Sequence, residues 1–360
     1  MQQTVTLRSV CWARLCKGIL GMALLGIFLL QGCQRQKAQL SQEESYVFGT
    51  RVEISIQGVP SELAHTATQA VFREFDRLHR LYHAWKPSEL SALNEAIAQG
   101  QAHPVSPELA ELITHARQLA ETSGFLFDPG IGRLIRLWGF QADEFAQQPP
   151  NPEIVKKWLE HRPSIADLKL EAGKVYSRNP QVALDFGGYL KGWALDRART
   201  LLKQHGIQNA LINIGGNILA LGEKSPGTPW QIGIQHPRKP GVLATLQLRD
   251  GEAIGTSGDY QRYFEANGQR FSHLLDPRTG YPGQQTQAVT VLIPAGEHSG
   301  TLSDAQSKPL FLAGDEWLGH LPASGIQQAL RVTAAGELEA TPSMIQRLKI
   351  PPGTPLRSVQ

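Results

Sequence analysis

Residues 185–196 read DFGGYLKGWALD, and residues 211–218 read LINIGGNI. The first stretch leads through Gly187-Gly188 into a helix that runs to Gly206, with Lys191 in its first turn. The second carries a buried strand, ALINI (210–214), that ends in a further glycine pair, Gly215-Gly216. Glycines at a helix N-terminus let a ligand approach backbone N–H groups, where the helix dipole favours an anion. A lysine in the same turn suits a phosphate; close packing of the helix start explains the glycines equally well. The stretch matches neither the dinucleotide GxGxxG pattern nor the P-loop.

Working outward, YVFGTRVEISI (46–56) alternates Val52, Ile54 and Ile56 with polar residues and predicts a strand. Leu63, Ala67, Val71, Phe75, Leu78 and Tyr82 recur at helical spacing over Ser61 to Tyr82. Ser106-Pro107 starts a second helix that stops near Gly124. Residues 141–152 read as a loop, 152–161 as a helix, and strand-like pieces surround Val175 and Val182. Further strands fit 231–235, 243–248, 288–293 and 329–333, with a helix around 303–313. This irregular alternation, with hairpin-like pairs, predicts a mixed α/β (α+β) domain with mixed sheets and flanking helices rather than a βαβ series. Residues 46–350 are expected to form one folded unit, and 351–360 an exposed Pro-rich tail.

The N-terminus reads separately. Arg8, Arg14 and Lys17 precede an apolar run from Gly18 to Leu30, short for a membrane span and suited to an export signal. Residues 1–32 are expected to be removed. Leu30-Gln31-Gly32-Cys33 resembles a bacterial lipobox, which implies lipid on Cys33, a tether over 33–45 and a body anchored to a bacterial membrane, facing the periplasm. Without the three leader bases, 35 Lys+Arg become 32, against 32 Asp+Glu. A broad basic field for nucleic acid is therefore unsupported. Hydrophobic residues at 41 % and charged residues at 19 % exclude disorder, collagen and a polytopic membrane protein. Cys11, Cys16 and Cys33 are the only cysteines, so the body has no disulfide, Cys-based zinc site or thiol nucleophile.

Three more segments set glycine beside charged or hydroxyl residues: FDPGIGRLIRLWGF (127–140), GTSGDYQRYFEANGQRFSHLLDPRTGYPG (255–283) and SDAQSKPLFLAG (303–314). Thr256, Ser257 and Gly258 read as a small polar loop. His273 sits in an apolar strand where a structural role is the simpler reading. Asp304 and Lys308, four apart on one helix, read as a surface ion pair.

Together these segments resemble the ApbE-type flavin transferases, FAD:protein FMN transferases. The matching patterns run in order: Asp128-Pro129 to Leu-Trp-Gly-Phe at 137–140, Asp185-Phe186-Gly187-Gly188 to Lys191-Gly192, Asn213-Ile214-Gly215-Gly216, Thr256 to Tyr260, and Ser272-His273 to Gly280. Phe48 to Thr50 and Ser88 to Asn94 also fit, so the likeness spans about 48–314. It implies that FAD is the substrate, that magnesium assists, and that FMN passes to a Thr or Ser hydroxyl of an exported or membrane flavoprotein with release of AMP.

The same resemblance implies site roles. His273 would take the hydroxyl proton, Lys191 would neutralise phosphate, and Asp185 would orient that turn. Trp85, Ser88, Asp128, Gly187, Gly188, Gly215, Gly216, Thr256 and Ser257 would line the FAD site. Asp304 and the Leu190 carbonyl would hold the metal. One position departs: where the family has Asp-Ala-x-x-x-Thr, this chain has Lys308 in place of the threonine. Lysine is a donor only and cannot serve as an oxygen ligand. A non-catalytic FAD-binding lipoprotein and an FAD pyrophosphatase therefore stay open beside the transferase.

Overall fold

Strands such as NILAL and TQAVTVLI are buried along their whole length, so the nine-stranded sheet they belong to must be covered on both faces. The computed structural model describes residues 40–142, 144 and 146–360. The leader and Cys33 lie outside the described residues. The strand order is Ser41–Val47, Thr50–Ile56, Ala210–Ile214, Asn217–Leu221, Ala253–Gly258, Thr286–Ile293, Gln328–Thr333, Leu338–Ala340 and Leu356–Ser358. Neighbours are antiparallel except the last pair.

Period-two alternation divides the core. Leu219, Leu221 and Ala253 face helices Ser61–Leu81 and Leu190–Gln204. Ile218, Ala220, Ile254, Ala288 and Leu292 face the hairpin Trp230–Gln235 and Val242–Leu248. Val289, Val291 and Ile293 pack on Leu310 and Phe311 of helix Ser299–Leu312. The mixed α+β architecture expected from the sequence is the one observed.

Several boundaries differ. The single strand read over 46–56 is a hairpin that reverses at Phe48-Gly49, with φ of 56° and 69°. Its first strand, SQEESYV, is largely polar and carries no apolar alternation, so it read as tether. Residues 41–45 of the expected 33–45 tether therefore lie in a strand. Ala253–Gly258, read in part as a polar loop, is an interior strand whose small side chains admit a helix against it. Glu89–Ala98 is a helix with no counterpart among the expected elements; Ser88 and Ser91 form its capping box. Around Val182 only an isolated bridge forms, Ile131 with Ala183. The expected exposed tail adds the parallel edge strand Leu356–Ser358, buries Val359 and pairs Arg357 with Glu339 at 2.7 Å. The open edge of Leu338–Ala340 supplies unpaired backbone groups that this segment satisfies.

Two helices carry the chemistry-bearing residues. Leu190–Gln204 holds the motif lysine, and Ser299–Leu312 holds Asp304. The second helix lacks a side-chain cap of its own at His298. Its free N–H groups are taken by Asp196 from the first helix: Oδ1 accepts Gly300 N–H at 3.0 Å, and Oδ2 accepts Thr301 N–H at 2.8 Å and Thr301 Oγ1 at 2.7 Å. Gly192 and Gly300 make the approach possible, since a Cβ on Gly192 would stand 2.5 Å from the Gly300 carbonyl oxygen. Removing Asp196 leaves buried donors unpaired, at about 1–3 kcal/mol each. Asp196→Ala is therefore expected to lose about 3 kcal/mol or more of stability in urea unfolding. A loss under about 1 kcal/mol would show that the cap is dispensable.

Candidate functional site

The site forms where the start of helix Leu190–Gln204, helix Ser299–Leu312 and the turn after strand Gln269–Ser272 meet. Asp185 builds the entry to the first helix. Its Oδ1 accepts Gly187 N–H at 2.8 Å and its Oδ2 accepts Gln141 Nε2 at 2.7 Å. It therefore shapes the glycine turn and ties it to the loop after Phe140.

Lys308 lies against that turn. A Cβ on Gly188 would stand 2.8 Å from Lys308 Cε, so the lysine stem runs over the bare glycine. The Lys308 ammonium donates to Asp304 Oδ1 and to the Asp304 carbonyl oxygen, each at 2.7 Å. Asp304 Oδ2 accepts Gly192 N–H at 3.0 Å. The expected surface ion pair is thus buried, with the Asp304 side chain 1 % exposed. Burial alone would raise the Asp304 carboxyl; the Lys308 ammonium, and then Lys191, hold it below its ordinary range.

His273 lies in the turn after strand Gln269–Ser272, within electrostatic range of Lys191 and Lys308. Its backbone N–H and its Nδ1 both reach the Arg262 carbonyl, at 3.0 and 3.1 Å. A carbonyl only accepts, so Nδ1 carries the proton and Nε2 keeps a lone pair. Burial first, then Arg262, Lys191 and Lys308, push the imidazole down from 6.5 to about 3. Phe140 lies edge-on to the ring at 6.3 Å, and its carbonyl accepts Arg262 Nη2 at 2.8 Å. The motifs at 137–140 and 272–280 also meet directly, Trp138 Nε1 donating to the Gly280 carbonyl at 2.8 Å.

The other expected site residues divide. Gly215-Gly216 is the tight turn between Ala210–Ile214 and Asn217–Leu221, with φ of 58° and 94°. It faces Thr50 on one side and Gln261, next to Arg262, on the other. Trp85 is partly exposed and ends a run of ring contacts from Phe48 through His79 and His83.

Four positions have side-chain atoms already engaged within the protein. The Ser88 hydroxyl donates to the His83 carbonyl at 2.7 Å and accepts Ser91 N–H as a helix cap. Asp128 Oδ1 accepts Gly130 N–H at 2.8 Å and Ile165 N–H at 2.9 Å, fixing its loop. Thr256 pairs with Thr290 at 2.9 Å across the sheet, on the face opposite the two helices. Ser257 faces the helices but is buried against Ser307 Oγ at 2.8 Å. Strand alternation would have separated Thr256 from Ser257 had this stretch been read as a strand. Arg262, Gln141 and Asp196 join the site without being among the expected residues. Asp196 closes the quoted DFGGYLKGWALD motif, which was its available signal.

The donors around Asp304 do not fit a divalent cation. Both carboxylate oxygens and the backbone carbonyl already accept hydrogen bonds, three of these four from Lys308 and Gly192. Ser307 Oγ, the nearest substitute for the missing threonine, donates to the Asp304 carbonyl at 2.9 Å. Leu190, whose carbonyl was the other expected ligand, sits in the first turn of its helix. Among the described residues no group of three or more His, Cys, Asp or Glu side chains is placed to hold a metal.

A glycine-lined turn, with lysines and an arginine close enough to depress a histidine, makes a positively charged site beside a mixed α+β sheet. The chain belongs to the ApbE family, whose model matches residues 48–329. It is 40 % identical over 333 residues to an FAD:protein FMN transferase of Rhodobacter capsulatus, covering 91 % of this chain but 63 % of that protein. It is 30 % identical to the FAD:protein FMN transferase of Haemophilus influenzae, covering 84 % of this chain and 88 % of that one. The ApbE protein of Thermotoga maritima superposes with a TM-score of 0.78 at 30 % identity, covering 86 % of this chain and 99 % of that one. The flavin transferase ApbE of Vibrio cholerae gives 0.73 at 25 %, with 86 % and 99 % covered. The relatives named as transferases are enzymes.

The depressed imidazole has a measurable consequence. Above pH 6.5 both folded and unfolded states hold His273 neutral. Between 6.5 and about 3 the unfolded chain binds a proton that the folded chain refuses, so stability falls as pH falls through that window. His115, lowered by burial to about 4, adds to the same slope. His273→Asn is expected to flatten the fall of the urea midpoint with decreasing pH relative to wild type. Identical slopes would mean that His273 titrates normally in the fold.

Proposed function

We propose that the protein transfers FMN from FAD to a Thr or Ser hydroxyl of an acceptor flavoprotein, releasing AMP. The single observation that carries this reading is the bare Nε2 of His273, held in its tautomer by the Arg262 carbonyl amid Lys191, Arg262 and Lys308. A pyrophosphate needs charge neutralisation more than covalent help, and a hydroxyl nucleophile needs a proton acceptor.

In this reading the hydroxyl oxygen attacks the FMN phosphorus. The new P–O bond forms as the bond to the bridging oxygen breaks, and that oxygen leaves on AMP. The hydroxyl proton passes to His273 Nε2. The cations that depress the imidazole also attract the pyrophosphate. Its bound negative charge offsets their field and raises the imidazole towards a range suited to accepting a proton. Gly187 and Gly188 leave room at the phosphates, and Trp85 offers a face for the adenine.

The leader supports export and lipidation at Cys33, so we place the body outside the cytoplasm with a membrane or exported flavoprotein as acceptor. Among the described residues no helix is long and apolar enough to cross a membrane.

The test mixes the protein with FAD and a small acceptor domain carrying a target threonine, and reads added FMN by intact mass and AMP by chromatography. Wild type is expected to modify the acceptor and release AMP in equal amounts. AMP without modified acceptor would point to hydrolysis, and bound FAD without AMP to a binding protein. His273→Ala is expected to slow transfer by about 10²–10⁴-fold while FAD still binds. Ser88→Ala is expected to cost about 1 kcal/mol of stability through the lost cap and to leave FAD affinity unchanged. A large loss of affinity in that variant would return Ser88 to the binding site.

A further inference from the structure

Asp304 and Lys308 are one helical turn apart, and their contact is more specific than an ion pair. A lysine ammonium has three donors. Two of them go to Asp304, one to Oδ1 and one to the backbone carbonyl, each at 2.7 Å. The third donor is left for something else. The stem lies over Gly188, where any Cβ would displace it, so the ammonium is presented at the glycine turn. The side chain keeps 14 % of its surface exposed. Lys308 also reaches His273 electrostatically, which puts its charge within range of the reacting centre.

A divalent ion entering this place would have to expel the ammonium from between two oxygens. It would then share the carboxylate with a like charge on the same helix. The neighbouring hydroxyl is not available as a replacement ligand. Ser307 Oγ is buried between Ser257 and the Asp304 carbonyl.

We propose that Lys308 is a built-in substitute for the divalent cation: its ammonium, anchored by Asp304, meets the FAD pyrophosphate directly, so that FAD binding and transfer by this chain need no metal. The proposal rests on the flavin reading of the site. It carries a cost in strength, because one positive charge beside Asp304 makes a neutral pair, where a divalent ion would leave a net positive centre. Lys191 and Arg262 then supply the net positive field, and Lys308 supplies a directed donor. The step itself is unchanged: the hydroxyl oxygen replaces the bridging oxygen at the FMN phosphorus, the proton goes to His273 and AMP departs.

The test uses the full chain and Mn²⁺ as the metal probe, read by electron paramagnetic resonance, with FAD affinity read separately by flavin fluorescence. Wild type is expected to leave Mn²⁺ free, with or without FAD, and its FAD affinity is expected to be indifferent to chelator. Lys308→Thr removes the ammonium and restores a hydroxyl. It is expected to gain one bound Mn²⁺ and to bind FAD about tenfold or more weakly once chelator is added. Lys308→Met keeps the stem over Gly188 without the charge, and is expected to weaken FAD binding whether or not metal is present. One Mn²⁺ bound per wild-type chain and lost in Asp304→Asn, or chelator-sensitive FAD binding in wild type, would overturn the proposal alone. So would wild-type FAD affinity in Lys308→Met. A wild-type chain that binds no FAD at all would overturn the flavin reading as well, and the Mn²⁺ signal, which needs no FAD, tells the two failures apart.

Discussion

The buried carboxylate of Asp196 is the contact on which the rest of the site depends. A helix that starts without a cap exposes several N–H groups, and inside a protein they must find acceptors. Helix Ser299–Leu312 finds them on its neighbour, in Asp196. Because Gly192 and Gly300 let the backbones nearly touch, this cap also sets the axial register of the two helices. With that register fixed, Gly192 N–H meets Asp304 and Lys308 falls across Gly188. Gly255, whose missing Cβ would stand 2.1 Å from the Ser303 carbonyl oxygen, lets the same helix settle onto the sheet.

Electrostatics then differ sharply on the two sides of the site. On one side a carboxylate is kept ionised in a dry place by an ammonium from its own helix. On the other an imidazole is kept neutral by burial and by the same population of cations. Groups pushed apart in this way can take different tasks, the ammonium meeting an anion and the imidazole a proton. The field that would trap a pyrophosphate and the field that holds His273 neutral before binding have the same source.

Much of this was readable along the chain. The helices at 61–81 and 107–122 follow from apolar spacing and, for the second, from Ser106 with Pro107. The glycine turns and His273 stood out through unusual local composition. What escaped were elements with little local signal. SQEESYV forms a strand because Thr50–Ile56 offers it an edge, and AIGTSG because neighbours on both sides pair with it. Leu356–Ser358 is ordered by the open edge of Leu338–Ala340. Strand propensity is largely a matter of what lies alongside, and that information is not local.

The sequence by itself determined the family, the family's set of reactive residue types and the one departure from it, because motif order and residue identity need no coordinates. It also bounded the chemistry: with all cysteines at or before residue 33, no thiol can act in the body. The tertiary structure decided which of those residues are free to act. Ser88, Asp128, Thr256 and Ser257 have the right chemistry for binding, yet each already has a polar side-chain atom engaged in a cap, a loop or a strand. The structure alone decided that Lys308 turns inward onto Asp304 over Gly188 rather than outward to water. A spacing of four residues puts two side chains on one helix face, but only the packing of that face says whether water or another turn of backbone lies beyond it.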